Sequence, residues 1–395
     1  MSGKRIDVVD ALRGSALFGI LLLHAVEHWD LIRMPEHRPG WQVMLDQQVL
    51  DAAYAIFGGK AYAIFALVFG VSFFITLDRW SRTSRNASAR FVWRLVLLGG
   101  LGYLHGLLYG GDVLMVIAVL GLPLVLLNKL PTRALLVVAV ALLLQLPEWP
   151  GVFQVLSDPS FTSARPHHWD LYGQTDGVYA AGSFAEVVRL NAWTGQAAKW
   201  WWTIETFRYP QMLGLFVCGL LIGRSGVLLD APKLRQVALR ALIAGIVGWG
   251  LTWFAQRGVQ GLGLKDGRLM VISNLVNAYG NLAQMAVWAG GFTLLYVGTR
   301  AARALGIFAP YGRMSLTCYV TQAALGVPFF YGFGLAMFRS VGPFHALFFA
   351  LGVFALQLAF AHWWLRRYTQ GPLEWLWRAA TLGTLQLPLL RERFC

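Results

Sequence analysis

Carboxylates are scarce in this chain. Of its 395 residues only 19 are Asp or Glu, against 33 Lys or Arg, and both signs together make up 13%. A soluble globular domain carries about 25% charged residues, so a large water-exposed surface is excluded. Long polar stretches are few, and apolar runs of roughly 17 to 25 residues, the length that crosses a bilayer core, follow one another in series. The apolar/polar alternation of a membrane β-barrel strand is missing, so the spans must satisfy their own backbone hydrogen bonds as helices. Cysteine is rare as well. Cys218 and Cys318 lie inside apolar runs and Cys395 is the last residue, which offers no disulfide framework. A cleavage site is lacking: "MSGKRIDVVD" is basic, but the apolar run after it contains Arg13 and His24 and ends in "HWDLIRMPEHRPG". That reads as a retained first span, not a removed signal peptide. The net charge of +14 has no basic face free of membrane segments on which nucleic acid would sit. No nucleic-acid partner is expected, and membrane lipids are.

What is present is an all-α integral membrane protein, a polytopic bundle of about ten or eleven transmembrane helices. Spans fall near 12–29, 57–77, 91–110, 113–128, 133–147, 209–223, 238–256, 277–298, 314–337 and 343–365, with re-entrant or broken elements around Ala52 to Lys60 and Gly261 to Tyr279. A cytoplasmic N terminus puts about 22 basic residues at the inner side and about 11 at the outer, which agrees with the positive-inside tendency. Both termini are then cytoplasmic. Four regions follow: spans at 1–147 carrying the candidate site, an exoplasmic connection at 148–208, further spans at 209–366, and an amphipathic cytoplasmic tail at 367–395. In the connection, "KWWWTIETFRYP" reads as an interfacial belt helix beside Lys199 or, alternatively, as the wall of a substrate entrance.

The chemistry sits in the polar residues that interrupt the spans. Arg13 and His24 are eleven residues apart, just over three helical turns, so they share one face about 16 Å apart along the axis. An arginine or histidine at such depth turns toward the bundle or toward water; Arg13 can also be read as a topology determinant at the inner boundary. "HAVEH" holds His24, Glu27 and His28 at the spacing of inverted zinc peptidases. It is the weaker reading, because no third ligand is placed, and no metal is expected. His105 and Asp112, seven residues apart, are separated by Gly110 and Gly111, which break the helix and leave Asp112 either as the N-cap of the next span or as a partner that fixes the tautomer of a general base. His24, His105 and Asp112 all lie toward the outer side and can converge. Lys60 enters its span from that side, where it either snorkels or neutralises an anionic group. In "YGRMSLTCYVTQ", Arg313, Thr317 and Gln322 occupy a helix that starts at the inner side, and Arg313 with Arg13 suggests a pocket for a phosphate-bearing donor.

"DALRGSALFGILLLH", "FALVFGVSFF", "GYLHGLLYGGDVLMVIAVLGL", "GRMSLTCYVTQ" and "GPLEWLWR", in this order along the chain, resemble the bacterial YeiB-like membrane family. That family is grouped more distantly with the transmembrane acyltransferases, which include the acyltransferase-3 enzymes and heparan glucosaminide acetyltransferase. In acyltransferase-3 proteins the first span carries a basic residue, ten residues, and a catalytic histidine, the spacing of Arg13 and His24. The resemblance implies a multi-pass protein of the bacterial inner membrane, His24 as the acyl-handling base and Arg13 as its support. A homodimer is compatible with the related acetyltransferases. Two functions stay open. One is an acyltransferase that uses cytoplasmic acyl-CoA and a small-molecule or glycan acceptor from the other side; the other is a noncatalytic binding protein or transporter for a lipid, quinone or small anion.

Overall fold

The computed structural model describes residues 7–390, all in helices and their connections apart from one isolated bridge between Tyr368 and Leu390. The basic start at Lys4 and Arg5, and Cys395, lie outside the described residues. In chain order the helices are α1 Asp7–Val26, α2 Gly40–Ile56, α3 Ala61–Ser81, α4 Ala87–Leu108, α5 Leu114–Leu127, α6 Thr132–Leu143, α7 Trp149–Ser157, α8 His167–Ala181, α9 Phe184–Leu190, α10 Gln196–Glu205, α11 Arg208–Ser225, α12 Ala231–Gly261, α13 Asp266–Gly298, α14 Ala302–Leu305, α15 Phe308–Arg313, α16 Ser315–Phe330, α17 Pro343–Arg367 and α18 Pro372–Leu382. A π-helical turn, Asn191–Gly195, joins α9 to α10.

Six stretches among the described residues are long and apolar enough to cross a membrane by themselves, and seven if α13 is counted with its bent continuation through α15. This is a polytopic helical membrane protein, with fewer self-sufficient spans than the ten expected. The difference lies in α5, α11 and α16, which are shorter or more polar than that test requires and are enclosed by neighbouring helices. The expected breaks resolve differently. Gly261 to Tyr279 is a plain turn followed by the first turns of α13, whereas α2 and α3 are parted only by the short turn at 57–60 and together make one apolar stretch of 42 residues. Helices α12 and α13, of 31 and 33 residues, are about 46 and 50 Å long. They exceed a core of about 30 Å and pair as an antiparallel hairpin.

Small residues set the closest crossings. A Cβ on Gly14 would collide with the Phe308 carbonyl, and one on Gly312 with the Asp10 carbonyl, so α1 and α15 meet backbone to backbone. Within a membrane this packing replaces the hydrophobic drive available in water. It leaves Arg13, one residue before the crossing, tied to Asp10 at 2.9 Å, to the Gly312 carbonyl at 3.3 Å and to the Ser72 hydroxyl on α3. One hydrophobic cluster, built on α1, α3, α4, α5 and α11, fills the half of the bundle where α1 begins. A second, with Trp29, Tyr109, Tyr179, Phe330 and Tyr331, fills the half where α1 ends. The candidate site lies between them.

Candidate functional site

At the Arg13 end of the bundle a cavity of about 690 Å³ opens, within the usual range for small-molecule sites. Arg13, Arg79, Arg94, Arg313 and Arg378 line it together with Asp10, Asp78 and Glu374. Its walls run inward along Phe73, Leu98, Leu114 and Ile117 to Tyr319. Helix α18 forms part of the wall because it docks by two devices. The Arg94 guanidinium lies 3.4 Å from the centre of the Trp377 ring, and the Trp377 indole donates to the Arg94 carbonyl at 2.9 Å. Glu374 accepts from the Leu316 and Thr317 amides and from the Thr317 hydroxyl, at 2.7, 3.1 and 2.6 Å. A carboxylate on the exposed amides of a helix start is favourable, so "GPLEWLWR" caps "SLTCYV" across the fold. Burial pushes the Glu374 carboxyl above the ordinary glutamate range, against the hydrogen bonds that Thr317 and Leu316 donate to it.

Tyr319 is the floor of that cavity and the roof of a second group. Its ring centre lies 5.2 Å from His105 and 6.4 Å from His24, and Tyr109 lies 5.1 Å from His24 and 6.4 Å from His105. The two histidines thus face a shared pair of tyrosines, although they come from α1 and α4. Asp112 stands one residue before Val113, the N-cap of α5, and makes two contacts. Its Oδ2 accepts from the Met115 amide at 3.2 Å, which caps α5, and its Oδ1 lies 2.8 Å from His105 Nδ1. That contact makes Nδ1 the protonated nitrogen and leaves Nε2 with its lone pair. The His105 Nε2 atom is buried and has no hydrogen-bond partner. Buried orphan nitrogens are uncommon and costly.

The backbone separates the three residues of "HAVEH". Helix α1 ends at Val26, and His28, Trp29 and Asp30 follow with φ of +50, +54 and +68°. Left-handed conformations of non-glycine residues cost of order 1–3 kcal/mol each, and here they are held by burial of Trp29 and by the Tyr331 hydroxyl donating to the Trp29 carbonyl at 2.7 Å. The turn scatters the three residues. His24 faces Tyr109, Glu27 accepts from the Tyr54 hydroxyl, and His28 stacks on Phe330 while its Nδ1 donates to the Arg33 carbonyl. No group of three His, Cys, Asp or Glu among the described residues is placed to hold a metal ion.

Three substrate-binding candidates also stand elsewhere. Lys60 does not snorkel; it is buried and donates to the Tyr54 carbonyl at 3.0 Å, in the last turn of α2, where a helix favours a cation. Gln322 donates to the Tyr311 hydroxyl at 2.7 Å, which donates to Gln357 at 2.9 Å, a buried network behind α16 and outside the cavity wall. The Thr317 hydroxyl is committed to Glu374. Arg313 and Arg13 do line the cavity, as inward-facing members of its arginine set.

The segment 148–208 folds against the His105 end. Tryptophans 201 and 193 are exposed, as an interfacial belt requires, but Lys199 between them and the bundle is buried. The Asn191 amide donates to the Leu107 carbonyl at 3.2 Å and its Oδ1 accepts from Tyr179 at 2.6 Å, which fixes the π-helical turn to the end of α4. Lys199 Nζ donates to Gln196 Oε1 at 2.6 Å. The sequence patterns do not mark Tyr109, Asn191, Gln196, Tyr319 or Glu374, and they mark Lys199 only as the neighbour of the tryptophans. The available signals were Tyr109 one turn after His105, and the three-residue spacing of Gln196 and Lys199 on one helix face.

Residues 222–384 match a family described as a protein of unknown function (DUF418). Almost the whole chain is similar to three bacterial proteins. It is 26% identical to "Uncharacterized protein YxaH" of Bacillus subtilis (strain 168), over 96% of this chain and 95% of that one. It is 27% identical to "Uncharacterized 39.9 kDa protein in amylase 3'region" of Bacillus acidopullulyticus, over 99% and 97%. It is 28% identical to "Uncharacterized protein YeiB" of Escherichia coli (strain K12), over 96% and 97%. No solved structure matches.

Proposed function

We propose that this chain, a YeiB-like membrane protein, is an acyltransferase of the bacterial inner membrane, with an acyl-CoA donor in the arginine cavity and an acceptor arriving at the His105 end. The reading rests on one arrangement. A cavity lined by five arginines reaches Tyr319, and a histidine whose Nδ1 is taken by Asp112 lies against that same ring. Guanidinium forks suit the phosphates of a CoA, which puts the Arg13 end on the cytoplasmic side together with both termini. The apolar wall from Phe73 to Ile117 suits the pantetheine arm and acyl chain.

The chemistry then follows from the unpartnered nitrogen. An acceptor hydroxyl or amine attacks the thioester carbonyl and its proton passes to His105 Nε2. The C–S bond breaks, the sulfur leaves with its electron pair, and it takes up the proton that His105 holds. Positioned bases of this kind contribute about 10²- to 10⁴-fold. His24, the acyl-handling base that the resemblance implies, stands across the Tyr109 and Tyr319 rings from His105 as the alternative base, and Arg13 braces α1 against α3 and α15.

A second reading, a binding protein or transporter without chemistry, is favoured by one observation: the cavity wall stops at Tyr319 and includes neither histidine. One experiment separates the two. The purified protein in lipid nanodiscs is supplied with acetyl-CoA and longer acyl-CoAs, and free thiol is followed with time. Acyl transfer predicts thiol release that falls by at least about 10²-fold in His105→Ala. Binding of CoA with no release, identical in the variant, establishes the second reading instead.

A further inference from the structure

The last turn of α4 carries a bare patch. His105 is followed by Gly106, and a Cβ built there would lie 2.5 Å from Gln196 Nε2 and 3.6 Å from Lys199 Nζ. The absence of a side chain at Gly106 thus lets the Gln196 amide and the Lys199 ammonium approach the backbone of α4. Both residues are enclosed, Gln196 with 8% and Lys199 with 4% of their surface exposed, and His105 with 6%. Gln196 spends its Oε1 on Lys199, and its Nε2 has no partner. The Lys199 ammonium bonds Gln196 and keeps further N–H groups beyond that bond. On the other side of the same turn stands the unpartnered His105 Nε2. An amide donor and an imidazole nitrogen are thus buried next to this turn without hydrogen-bond partners.

Their positions are imposed from outside. The π-helical turn at Asn191–Gly195 adds a residue to one helical turn and so rotates α10 relative to α9. Asn191 pins that turn to the Leu107 carbonyl. Burial lowers the Lys199 ammonium from the ordinary lysine range, and the nearby Asp112 carboxylate acts in the opposite direction. Simple pairing with Asp112 would leave Gln196 Nε2 unexplained, since Asp112 already holds His105 and the Met115 amide.

We infer that the Gly106 patch is an oxyanion site, in which Lys199 Nζ and Gln196 Nε2 receive the negatively charged oxygen that forms on the acyl carbonyl as the acceptor attacks beside His105. The inference rests on the acyl-transfer reading and adds the group that stabilises its intermediate. Donors fixed before reaction in an enclosed site pay no reorganisation when charge develops. A carboxylate, which has the same charge and nearly the same oxygen spacing, is the stable chemical class that such a patch would hold.

Two measurements test it together. Steady-state transfer is compared in wild type, Lys199→Met, Lys199→Arg and Gln196→Leu, and butyrate binding to each protein in nanodiscs is measured by titration calorimetry, with butanol as the neutral control. The expected result is a kcat lowered by about 10²- to 10³-fold in Lys199→Met with the donor KM changed by less than about threefold. Lys199→Arg should recover part of the loss, and Gln196→Leu should show a smaller one. Butyrate, but not butanol, should bind wild type and fail to bind Lys199→Met. Equal kcat, or equal butyrate binding, in wild type and Lys199→Met overturns the inference. If wild type transfers nothing, yet loses its butyrate binding on Lys199→Met, the anion site stands and the acyl-transfer reading fails.

Discussion

At the Arg13 end of the bundle the cationic groups around the cavity have fixed neighbours, Arg13 with Asp10 and Ser72 and Arg94 with the Trp377 ring. At the His105 end the polar atoms are nearly enclosed, and His105 Nε2 and Gln196 Nε2 are among those with no hydrogen-bond partner. A guanidinium beside an open cavity keeps water as a partner and can wait for a mobile phosphate. An enclosed nitrogen has no such substitute, and leaving it unpaired costs about 1–3 kcal/mol. The difference teaches where binding and chemistry would divide: charge marks the end that collects a ligand, and orphaned polarity marks the end that acts on it.

The sharpest way to break this division is Asp112→Asn. Asparagine still caps α5, so the helices keep their places, but it can pair with the wrong His105 tautomer. Turnover should fall by about 10³- to 10⁴-fold while CoA binding stays within about twofold, as for other imidazoles that lose an orienting carboxylate. Single-turnover thiol release together with equilibrium CoA binding checks both halves. A loss under about tenfold would mean that the His105 end holds no base.

The reverse dissection uses the cavity rim. Arg79 and Arg378 line the mouth and are exposed, so Arg79→Gln with Arg378→Gln removes charge without opening the core. CoA affinity should weaken by about tenfold, since exposed charge pairs contribute about 0.2–1 kcal/mol each. The kcat should be kept, and the effect should shrink as salt is raised. An equal loss in kcat would show that the arginine end takes part in the chemical step.

How much of this was legible beforehand follows the same split. The helical membrane fold could be read because apolar length is a local property, and the arginines could be read because basic residues collect on one side of a membrane. His105 and Asp112 were legible as a pair seven residues apart, even though a glycine break lies between them. The partners of Thr317 were not, because Glu374 reaches it from 57 residues further on and nothing local announces the contact. Lys199 was hidden for another reason: the tryptophans around it dominate the local pattern, and only the packing of α10 on α4 shows that the lysine faces inward. The turn at His28 to Asp30 carries a weak signal, since histidine and aspartate tolerate left-handed backbone better than most residues, but Trp29 and the lack of a glycine hide it.

The smallest expected effect separates the two ends by acidity. Glu205 fastens the segment over the His105 end, accepting from the amides and Nδ1 atoms of His167 and His168 at the start of α8. Burial would raise its carboxyl, but the bonds from His168 and then His167 outweigh it and hold the group down to about 2. A carboxyl depressed in the fold from about 4.3 contributes stability above that value. The contribution is lost as pH falls toward 2. Glu374 is shifted upward by burial, so its contribution has the opposite sign, present in acid and lost as pH rises. Between pH 5 and 3, protection against amide exchange, taken relative to the intrinsic rate at each pH, should therefore fall at His167 and His168 while it rises or holds at Leu316 and Thr317, and Glu205→Gln should abolish the first change alone. If both ends loosen together on acidification, the segment over His105 and the α18 dock are one cooperative unit, and the two ends of the bundle are not independent.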